Sequence, residues 1–269
     1  MKQIGFIGAG NMAGALIKGL LRAGVCKPAD ICVSDVASAQ VQRLRRQYKV
    51  TSAPDNATLV RAARTVILSV KPQVMAEVLR GLHGVASTRQ LFISIAAGCT
   101  LRRLESGLGK GMRVVRVMPN TPALIGRGMS VAVGGRHATA ADMKHTLRLF
   151  QAVGRAEAVT AEKLIDAVTA VSGSGPAFVY AFAEHLIAGG SAAGLSPALA
   201  ARLTFQTILG AAGMMLETDM SPRTLREMVT SPGGTTLAGL TALDAHHFRD
   251  AVLAAIDAAA RRARELAAS

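Results

Sequence analysis

The sequence contains few of the side chains that mark several classes of protein. It has no tryptophan, and aromatic residues make up only 3% of its 269 residues. Three cysteines, Cys26, Cys32 and Cys99, lack the spacing of a metal site or a disulfide framework. We therefore expect small, reduced, buried thiols in a cytosolic protein.

Long apolar runs and a leader segment are also missing from the pattern. No run reaches the roughly 18 uninterrupted apolar residues of a membrane span, and the most apolar helical stretch, 176–195, carries Glu184 and His185. Met1-Lys2-Gln3 leads directly into an apolar segment, which does not resemble a signal peptide. The sequence therefore predicts a cytoplasmic protein with no membrane partner.

Acidic side chains are outnumbered by basic ones. There are 17 Asp and Glu against 31 Lys and Arg, which gives a net charge of +14. The basic clusters at 43–46 and 261–264 lie in helical patterns that also contain apolar residues. A nucleic-acid surface would interleave basic and aromatic residues or belong to a recognised module. Since neither is visible, we expect no nucleic-acid partner and a general preference for anionic ligands.

The first motif follows a short apolar segment, 2–7, that is typical of a buried strand. Residues 8–14 read GAGNMAG, which fits G-x-G-x-x-A between a predicted strand and a predicted helix. In this motif Gly8 makes the tight turn, Gly10 leaves room for a pyrophosphate and Ala13 permits close helix–strand contact. The position predicts a dinucleotide-binding loop; the alternative is a purely structural glycine turn.

The second predicted strand, 31–35, ends in an acidic residue. Asp35 stands where a dinucleotide-binding domain places the carboxylate that binds the ribose hydroxyls, which favours NAD. Alternatively, Asp35 caps the helix that follows. Arg43, Arg45 and Arg46 on that helix are candidates to bind a 2′-phosphate. The pattern therefore leaves the choice between NADH and NADPH open.

Strands and helices alternate through the first half of the chain and then stop alternating. Further strands are predicted at 65–70, 91–95, 112–118, 130–134 and 156–159. Alternation implies a parallel, doubly wound sheet that binds ligands at the carboxyl ends of its strands. After residue 160, helices are predicted at 161–171, 176–193, 197–216, 222–228, 234–244 and 246–266.

We therefore predict two domains. Residues 1–160 form an α/β, Rossmann-like, doubly wound domain, and residues 161–269 form an all-α domain that carries the substrate site. The helices of the second half are unusually rich in Ala, Gly, Leu and Met, as at 211–215. So much apolar surface in a small helical half predicts burial against a second copy of the chain, in a dimer or a larger assembly.

A Ser-Pro-Gly-Gly-Thr-Thr turn at 231–236 lies within the helical half. Gly233 and Gly234 permit a sharp turn and close approach of a ligand, and Thr235 and Thr236 lead into a helical pattern. A helix N-terminus of this kind presents free N–H groups and positive potential, which predicts a site for a small anion. The alternative is an ordinary turn between helices, capped by threonine.

A second Gly-Ser segment, SGSGPA at 172–177, breaks one predicted helix and begins the next. Ser174 lies in its centre. A serine nucleophile would require a G-x-S-x-G elbow with His and Asp partners, and neither is evident. The six histidines are scattered, and the adjacent pair His246-His247 is unsuited to facing one metal from a helix, so we expect no metal.

Together these motifs resemble the pyrroline-5-carboxylate reductase family, which catalyses the last step of proline biosynthesis. The matching segments run in family order at 4–12, 70–72, 94–98, 118–122, 172–177 and 231–236. The resemblance implies reduction of 1-pyrroline-5-carboxylate to L-proline with NADPH or NADH as cofactor. It also implies a homodimer built from interlocked helical domains, which in many members assembles further, often into a decamer.

The resemblance also implies a role for individual residues. The implied cofactor-binding positions are Gly8, Ala9, Gly10, Asn11 and Met12 at the pyrophosphate, Ser34, Asp35 and Asn56 at the adenosine end, and Val70, Lys71, Pro72 and Ala97 toward the nicotinamide. The implied substrate-binding positions are Ser174, Ser231, Gly233, Gly234, Thr235 and Thr236. Thr236 is implied to hydrogen-bond the ring nitrogen, which makes it the candidate catalytic residue. Asp35 opposes a 2′-phosphate, although the family commonly favours NADPH.

The implied chemistry is hydride transfer to the carbon of a C=N bond, which needs an activated nitrogen. Thr236 is a poor proton source, so we expect the substrate to bind protonated or water to supply the proton, with most of the rate arising from orientation and desolvation. One alternative is a related reductase of hydroxy acids or cyclic imines; the hydroxy-acid enzymes usually carry a catalytic lysine, for which Lys163 is the only nearby candidate. The other is a cofactor-binding sensor, against which the 231–236 loop argues.

Overall fold

The computed structural model describes residues 2–268, which divide into two compact units. The first comprises the described residues up to Ser174 together with those from Ala258 onward, and the second comprises Gly175–Asp257. The division of the sequence into domains at residue 160 stays a prediction.

Within residues 2–268, eight strands form one sheet in the first unit, in the order β3-β2-β1-β4-β5-β6-β7-β8. The strands are β1 (Lys2–Ile7), β2 (Ile31–Ser34), β3 (Thr51–Ser52), β4 (Ala63–Leu68), β5 (Leu91–Ser94), β6 (Arg113–Met118), β7 (Gly128–Gly134) and β8 (Gly154–Ala158). The order reverses at β1, which lies between β2 and β4. This is the arrangement of a doubly wound sheet, so the predicted Rossmann-like fold is confirmed.

Helices connect the strands and make up the second half of the chain. In the first unit they are α1 (Asn11–Arg22), α2 (Ser38–Tyr48), α3 (Asn56–Ala62), α4 (Pro72–Leu82), α5 (Leu101–Leu108), α6 (Ala140–Gln151) and α7 (Leu164–Val168). The later helices are α8 (Gly175–Ala192), α9 (Pro197–Glu217), α10 (Pro222–Met228), α11 (Thr235–Ala245) and α12 (Phe248–Ala268). The all-α second half is confirmed.

The structure departs from the predicted elements in three places. β7 runs antiparallel to β6, because the connection between them holds only a short 3-10 helix, Thr121–Ile125, and a parallel return needs a longer crossover. The edge strand β3 was not predicted, because its two residues are too few to show the alternation of apolar and polar side chains by which a strand is recognised. The helix predicted at 161–171 is instead the short α7 followed by a π-helix, Thr169–Gly173.

The sheet is covered on both faces by apolar side chains. Ile4 and Phe6 of β1 pack on one face with Leu16 of α1, and Ile7 packs on the other face with Phe92 of β5. Burying each such side chain fully stabilises the fold by roughly 1.5–3 kcal/mol. The side chains of β1 are therefore buried on both faces of the strand that leads into the glycine motif.

The cysteines belong to this first unit. Cys32 and Cys99 are buried and Cys26 is half-buried, all three as free thiols. Burial raises the pKa of the Cys99 thiol, with the nearby Arg103 and Arg116 acting in the opposite direction. The thiol is therefore protonated near neutral pH, as a small core residue should be.

The second unit exposes much of its apolar surface. α8 packs along α9, and the rings of Phe182 and Phe248 lie 6.4 Å apart, yet Phe205 and Leu209 on α9 are each 60% exposed. By length and composition α9 could cross a membrane, with a mean hydropathy of 1.3, although it carries Arg202. An exposed apolar helix of this kind also suits a protein–protein interface.

Candidate active site

The glycine loop, residues 8–12, begins where β1 ends. Gly8 has φ +98°, and a Cβ at this position would lie 2.6 Å from the backbone oxygen of Ser69. The Gly8 N–H donates to Ser34 O at 2.8 Å, and the Ser69 hydroxyl donates to Gly8 O at 2.7 Å. The loop is therefore held directly against the ends of β2 and β4, and only glycine fits at its first position.

Gly10 is the N-cap of α1, and its surroundings are open. A Cβ at Gly10 would meet no heavy atom within 4 Å. No side chain caps the helix, and its first turn contains no acidic residue. The first-turn amides of α1 and its dipole therefore face an open space beside Gly10 and Asn11, which fits a pyrophosphate group. The predicted pyrophosphate positions are thus brought together at one helix N-terminus.

Asp35 and Arg43 form hydrogen bonds with the backbone N–H and the backbone C=O of one residue in this loop, Ala9. The Ala9 N–H donates to Asp35 Oδ2 at 2.6 Å, and Arg43 Nη2 donates to Ala9 O at 3.0 Å. The other carboxylate oxygen of Asp35 accepts the Ala37 N–H at 2.8 Å, just before α2. Both carboxylate oxygens of Asp35 are therefore held by backbone N–H groups, while the N-cap of α2 is Ala37 and receives no side-chain cap. A ribose-binding role for Asp35 stays a prediction.

The predicted adenosine-end residues Ser34 and Asn56 are in contact. The Ser34 hydroxyl donates to Asn56 Oδ1 at 2.8 Å. Asn56 begins α3, whose N-cap Asp55 accepts the Thr58 N–H at 2.6 Å. That backbone hydrogen bond is the main reason why the pKa of the Asp55 carboxyl is lowered. The cap thus holds the helix that carries Asn56.

The positions predicted toward the nicotinamide lie just beyond β4 and β5. Lys71 is exposed and is the N-cap of α4, and Pro72 is the first residue of that helix, where its missing N–H costs nothing. Ala97 is half-buried beyond β5. The Ile95 N–H donates to Leu68 O at 3.1 Å, which keeps the ends of these strands side by side.

Two further polar residues of the first unit, one in β6 and one just after it, were not predicted as site residues. Asn120 accepts the Met129 N–H at 2.8 Å and donates to Ser172 O at 3.1 Å. It lies in the 118–122 segment, for which the sequence analysis gave no role. Arg116 is a buried charge in β6 that pairs with Glu162 at 2.8 Å. A charge within an apolar strand could have marked Arg116 in the sequence. Its partner could not be identified in the same way, because it lies 46 positions later in the chain.

The 231–236 loop belongs to the second unit. Gly233 has φ +69°, and Gly234 is the N-cap of α11, with its N–H donating to Ser231 O at 3.0 Å. No side chain caps α11 and its first turn has no acidic residue. The first-turn N–H groups, together with the half-buried Thr236, form the kind of site that binds a carboxylate.

The alternatives raised by the sequence find no added support. Lys163 is exposed at the start of α7. Within the described residues, no group of three or more His, Cys, Asp and Glu side chains is placed to hold a metal ion.

The comparisons with known proteins extend over nearly all of the chain. A model described as pyrroline-5-carboxylate reductase dimerisation matches residues 162–266, and one described as NADP oxidoreductase, coenzyme F420-dependent, matches residues 3–98. The pyrroline-5-carboxylate reductase of Methanosarcina acetivorans is 43% identical over 265 residues, which cover 98% of each chain. This chain belongs to the pyrroline-5-carboxylate reductase family. The enzyme of that name from Pseudomonas aeruginosa is also 43% identical, with 98% of this chain and 97% of that one covered.

Solved pyrroline-5-carboxylate reductases share the fold. The structure of the reductase from Coxiella burnetii superposes with a TM-score of 0.93 at 36% identity, over 98% of both chains. The pyrroline carboxylate reductase from Plasmodium falciparum, solved with NADP bound, gives a TM-score of 0.88 at 31% identity over 99% of this chain and 98% of that chain. The predicted family and fold class are therefore confirmed.

Proposed function

We infer that this protein reduces 1-pyrroline-5-carboxylate to L-proline with NAD(P)H, the last step of proline biosynthesis. Its membership of the reductase family supports this inference over the full chain. The observation that carries it at the level of residues is the 231–236 loop, with its uncapped helix N-terminus and Thr236 in the first turn. A glycine loop alone is common to many dehydrogenases.

The first unit supplies the residues that would hold the cofactor. The open N-terminus of α1, with Gly10 and Asn11, would bind the pyrophosphate, and Ser34 with Asn56 would face the adenosine. Val70, Lys71 and Ala97 would flank the nicotinamide. When bound, NAD(P)H supplies the hydride that is transferred to the C=N carbon. These roles agree with a fold that binds ligands at the carboxyl ends of its strands.

The 231–236 loop would bind the substrate carboxylate. The amides of Thr235, Thr236 and Leu237 begin α11, and the N–H of the fourth residue, Ala238, is the first that donates back into the helix, to Gly234 O at 3.2 Å. The three earlier amides are those that an α-helix leaves for a ligand. We also propose Ser174 and Ser231 as substrate-binding residues, each through its hydroxyl.

Thr236 would donate its hydroxyl hydrogen bond to the ring nitrogen. Among residues 2–268 that hydroxyl makes no hydrogen bond, so it is available for a substrate. A threonine is too weak an acid to protonate an imine, and the proposed site holds no His or Glu for the purpose. The substrate therefore binds in its protonated form or receives its proton from water, and the chain contributes orientation and exclusion of water.

The test is Thr236→Val, which removes the hydroxyl at nearly constant volume, compared with Thr236→Ser, which keeps it. We expect kcat/KM for 1-pyrroline-5-carboxylate to fall about 100-fold in T236V, as for loss of one positioned donor, and less than about tenfold in T236S. NADPH affinity should be unchanged in both. Unchanged turnover in T236V would remove Thr236 from the site.

The protein forms an oligomer, since its helical half matches the family described as pyrroline-5-carboxylate reductase dimerisation. The finer proposal is a homodimer that assembles further into a decamer, in which exposed apolar residues such as Phe205 and Leu209 become buried. Light scattering should then give twice, or ten times, the chain mass of 27.8 kDa. A particle of single-chain mass at micromolar concentration would contradict this.

We further propose a cytoplasmic location and domains at 1–160 and 161–269.

A further inference from the structure

The segment 169–174 leads from α7 toward α8 and has an irregular backbone. Residues Thr169–Gly173 form a π-helix, and the Ser174 N–H donates to Thr169 O, five positions earlier, at 2.7 Å. Short π-helical turns widen a helix by one residue and persist where other contacts support them. The contacts that support this turn therefore decide where Ser174 is held.

One carbonyl of the turn cannot obtain the donor that α-helical geometry would give it. In an α-helix, Ser172 O would accept the N–H of the residue four positions later, which is Pro176. Proline has no N–H to donate. Ser172 is half-buried, and a hydrogen bond from another part of the fold therefore stabilises its carbonyl.

Asn120 supplies that partner from the connection after β6. Its Nδ2 donates to Ser172 O at 3.1 Å and lies 3.3 Å from Ser172 Oγ, while its Oδ1 accepts the Met129 N–H from β7 at 2.8 Å. The orientation of the amide is fixed, because the Met129 N–H can only donate and Ser172 O can only accept. One side chain thus ties the π-helical turn to β7 and to the connection after β6.

Gly173 brings the turn close to the same end of β6. A Cβ at Gly173 would lie 2.5 Å from the terminal methyl carbon of Met118, the last residue of that strand. The turn is therefore held at two successive residues, Ser172 by a hydrogen bond and Gly173 by close packing. Ser174 follows directly, and its own backbone N–H donates to Thr169 O at 2.7 Å.

We propose that Asn120 is a positioning residue for substrate binding: it replaces the missing Pro176 donor at Ser172 O and thereby holds Ser174 in place. The role in substrate binding rests on the proposed function of Ser174, whereas the hydrogen bond to the turn does not. Asn120 acts through Ser172 rather than by contact with a reacting atom.

Two variants of Asn120 test the proposal, and both lose the donor. Asn120→Leu is neutral, and Asn120→Asp keeps the acceptor for the Met129 N–H, so an effect shared by both arises from the lost donor. We expect KM for 1-pyrroline-5-carboxylate and the Kd of L-proline to rise about tenfold or more, with the Kd of NADPH unchanged. Ser172→Ala keeps the carbonyl and is the matched control, with values close to those of the wild type.

A second readout does not depend on activity. Amide hydrogen exchange of the peptide that covers 169–175 should accelerate about tenfold or more in N120L and N120D, and not in S172A. Faster exchange with unchanged KM and proline affinity would overturn the positioning role. Unchanged exchange in both variants would overturn the hydrogen bond to the turn. A wild-type protein that neither turns over nor binds proline would instead overturn the proposed function, and the exchange data alone would then decide whether Asn120 holds the turn.

Discussion

The Asp35 carboxylate accepts the Ala9 N–H at 2.6 Å, so the acidic residue after β2 is bound to the glycine loop itself. Its second oxygen accepts the Ala37 N–H at 2.8 Å. The carboxylate is thereby fixed just after β2, which is where a dinucleotide-binding domain has the acidic residue that binds the ribose hydroxyls of its cofactor. A 2′-phosphate at that position would meet a negative charge that cannot rotate away.

We therefore predict that Asp35 lowers the preference for NADPH over NADH. In Asp35→Asn, the ratio of NADPH to NADH affinity, measured by the fluorescence of the bound nicotinamide, should rise about tenfold, as expected when roughly 1.4 kcal/mol of repulsion is removed. Asp30→Asn, at the opposite end of β2, is the control and should leave the ratio unchanged. An unchanged ratio in D35N would show that Asp35 serves only to hold the loop.

Gly8 and Gly10 should respond differently to the same added methyl group. Gly8→Ala forces a Cβ against Ser69 O at φ +98° and should lower the free energy of unfolding by about 1–3 kcal/mol. Gly10→Ala meets no atom within 4 Å, so it should unfold like the wild type while its NADPH affinity falls because the space for the pyrophosphate is filled. Denaturation and cofactor titration of both variants check this. Unimpaired NADPH binding in G10A would refute the pyrophosphate position.

Two ion pairs with the same 2.8 Å distance should differ in their effect on stability. Arg116 is almost fully buried beside Glu162, whereas Arg223 and Glu227 are exposed on α10. Glu162→Gln leaves the Arg116 charge without compensation and should cost about 1–3 kcal/mol of unfolding free energy. Glu227→Gln should cost less than about 1 kcal/mol. Equal costs in urea denaturation would contradict the role of burial.

Acid should weaken the N-terminus of α3 through Asp55. The Thr58 N–H, which donates to the carboxylate, lowers the pKa of Asp55 in the folded protein. Its contribution to stability is therefore complete above the unfolded pKa, near 4, and is lost as pH falls through the lower folded value. Asp55→Asn caps equally well and does not titrate in this range. The melting temperatures of the two proteins should be similar at pH 7, and the wild type alone should lose the contribution of this cap below about pH 4. Parallel pH profiles would contradict this.

Local patterns predict the strands that lie in the core. The bounds of β1 agree with the prediction, Lys2–Ile7, because a short apolar run before G-x-G is typical of a buried parallel strand. The antiparallel β7 was not predicted, since strand direction depends on the length of a connection rather than on the residues of the strand. The π-helix after α7 was not predicted either, because an apolar period near four does not distinguish α from π geometry.

The candidate site is predictable only where one motif supplies it. The glycine loop and the 231–236 loop each carry their own geometry, so the sequence identifies Gly8 and Gly234. Asn120 depends on Ser172, which lies 52 positions later, and Arg116 depends on Glu162. Such partners are set by the fold, and a single sequence does not reveal them. The contact of Asp35 with Ala9, likewise, emerges only once β1 and β2 are side by side.

The measurement that tests the central claim most directly is oxidation of NADPH and of NADH by the purified protein, with 1-pyrroline-5-carboxylate as acceptor. We predict substrate-dependent oxidation with stoichiometric formation of L-proline. No oxidation with either cofactor, by protein shown to bind one of them, would contradict the assignment and direct the search to other cyclic imines and carbonyl acids.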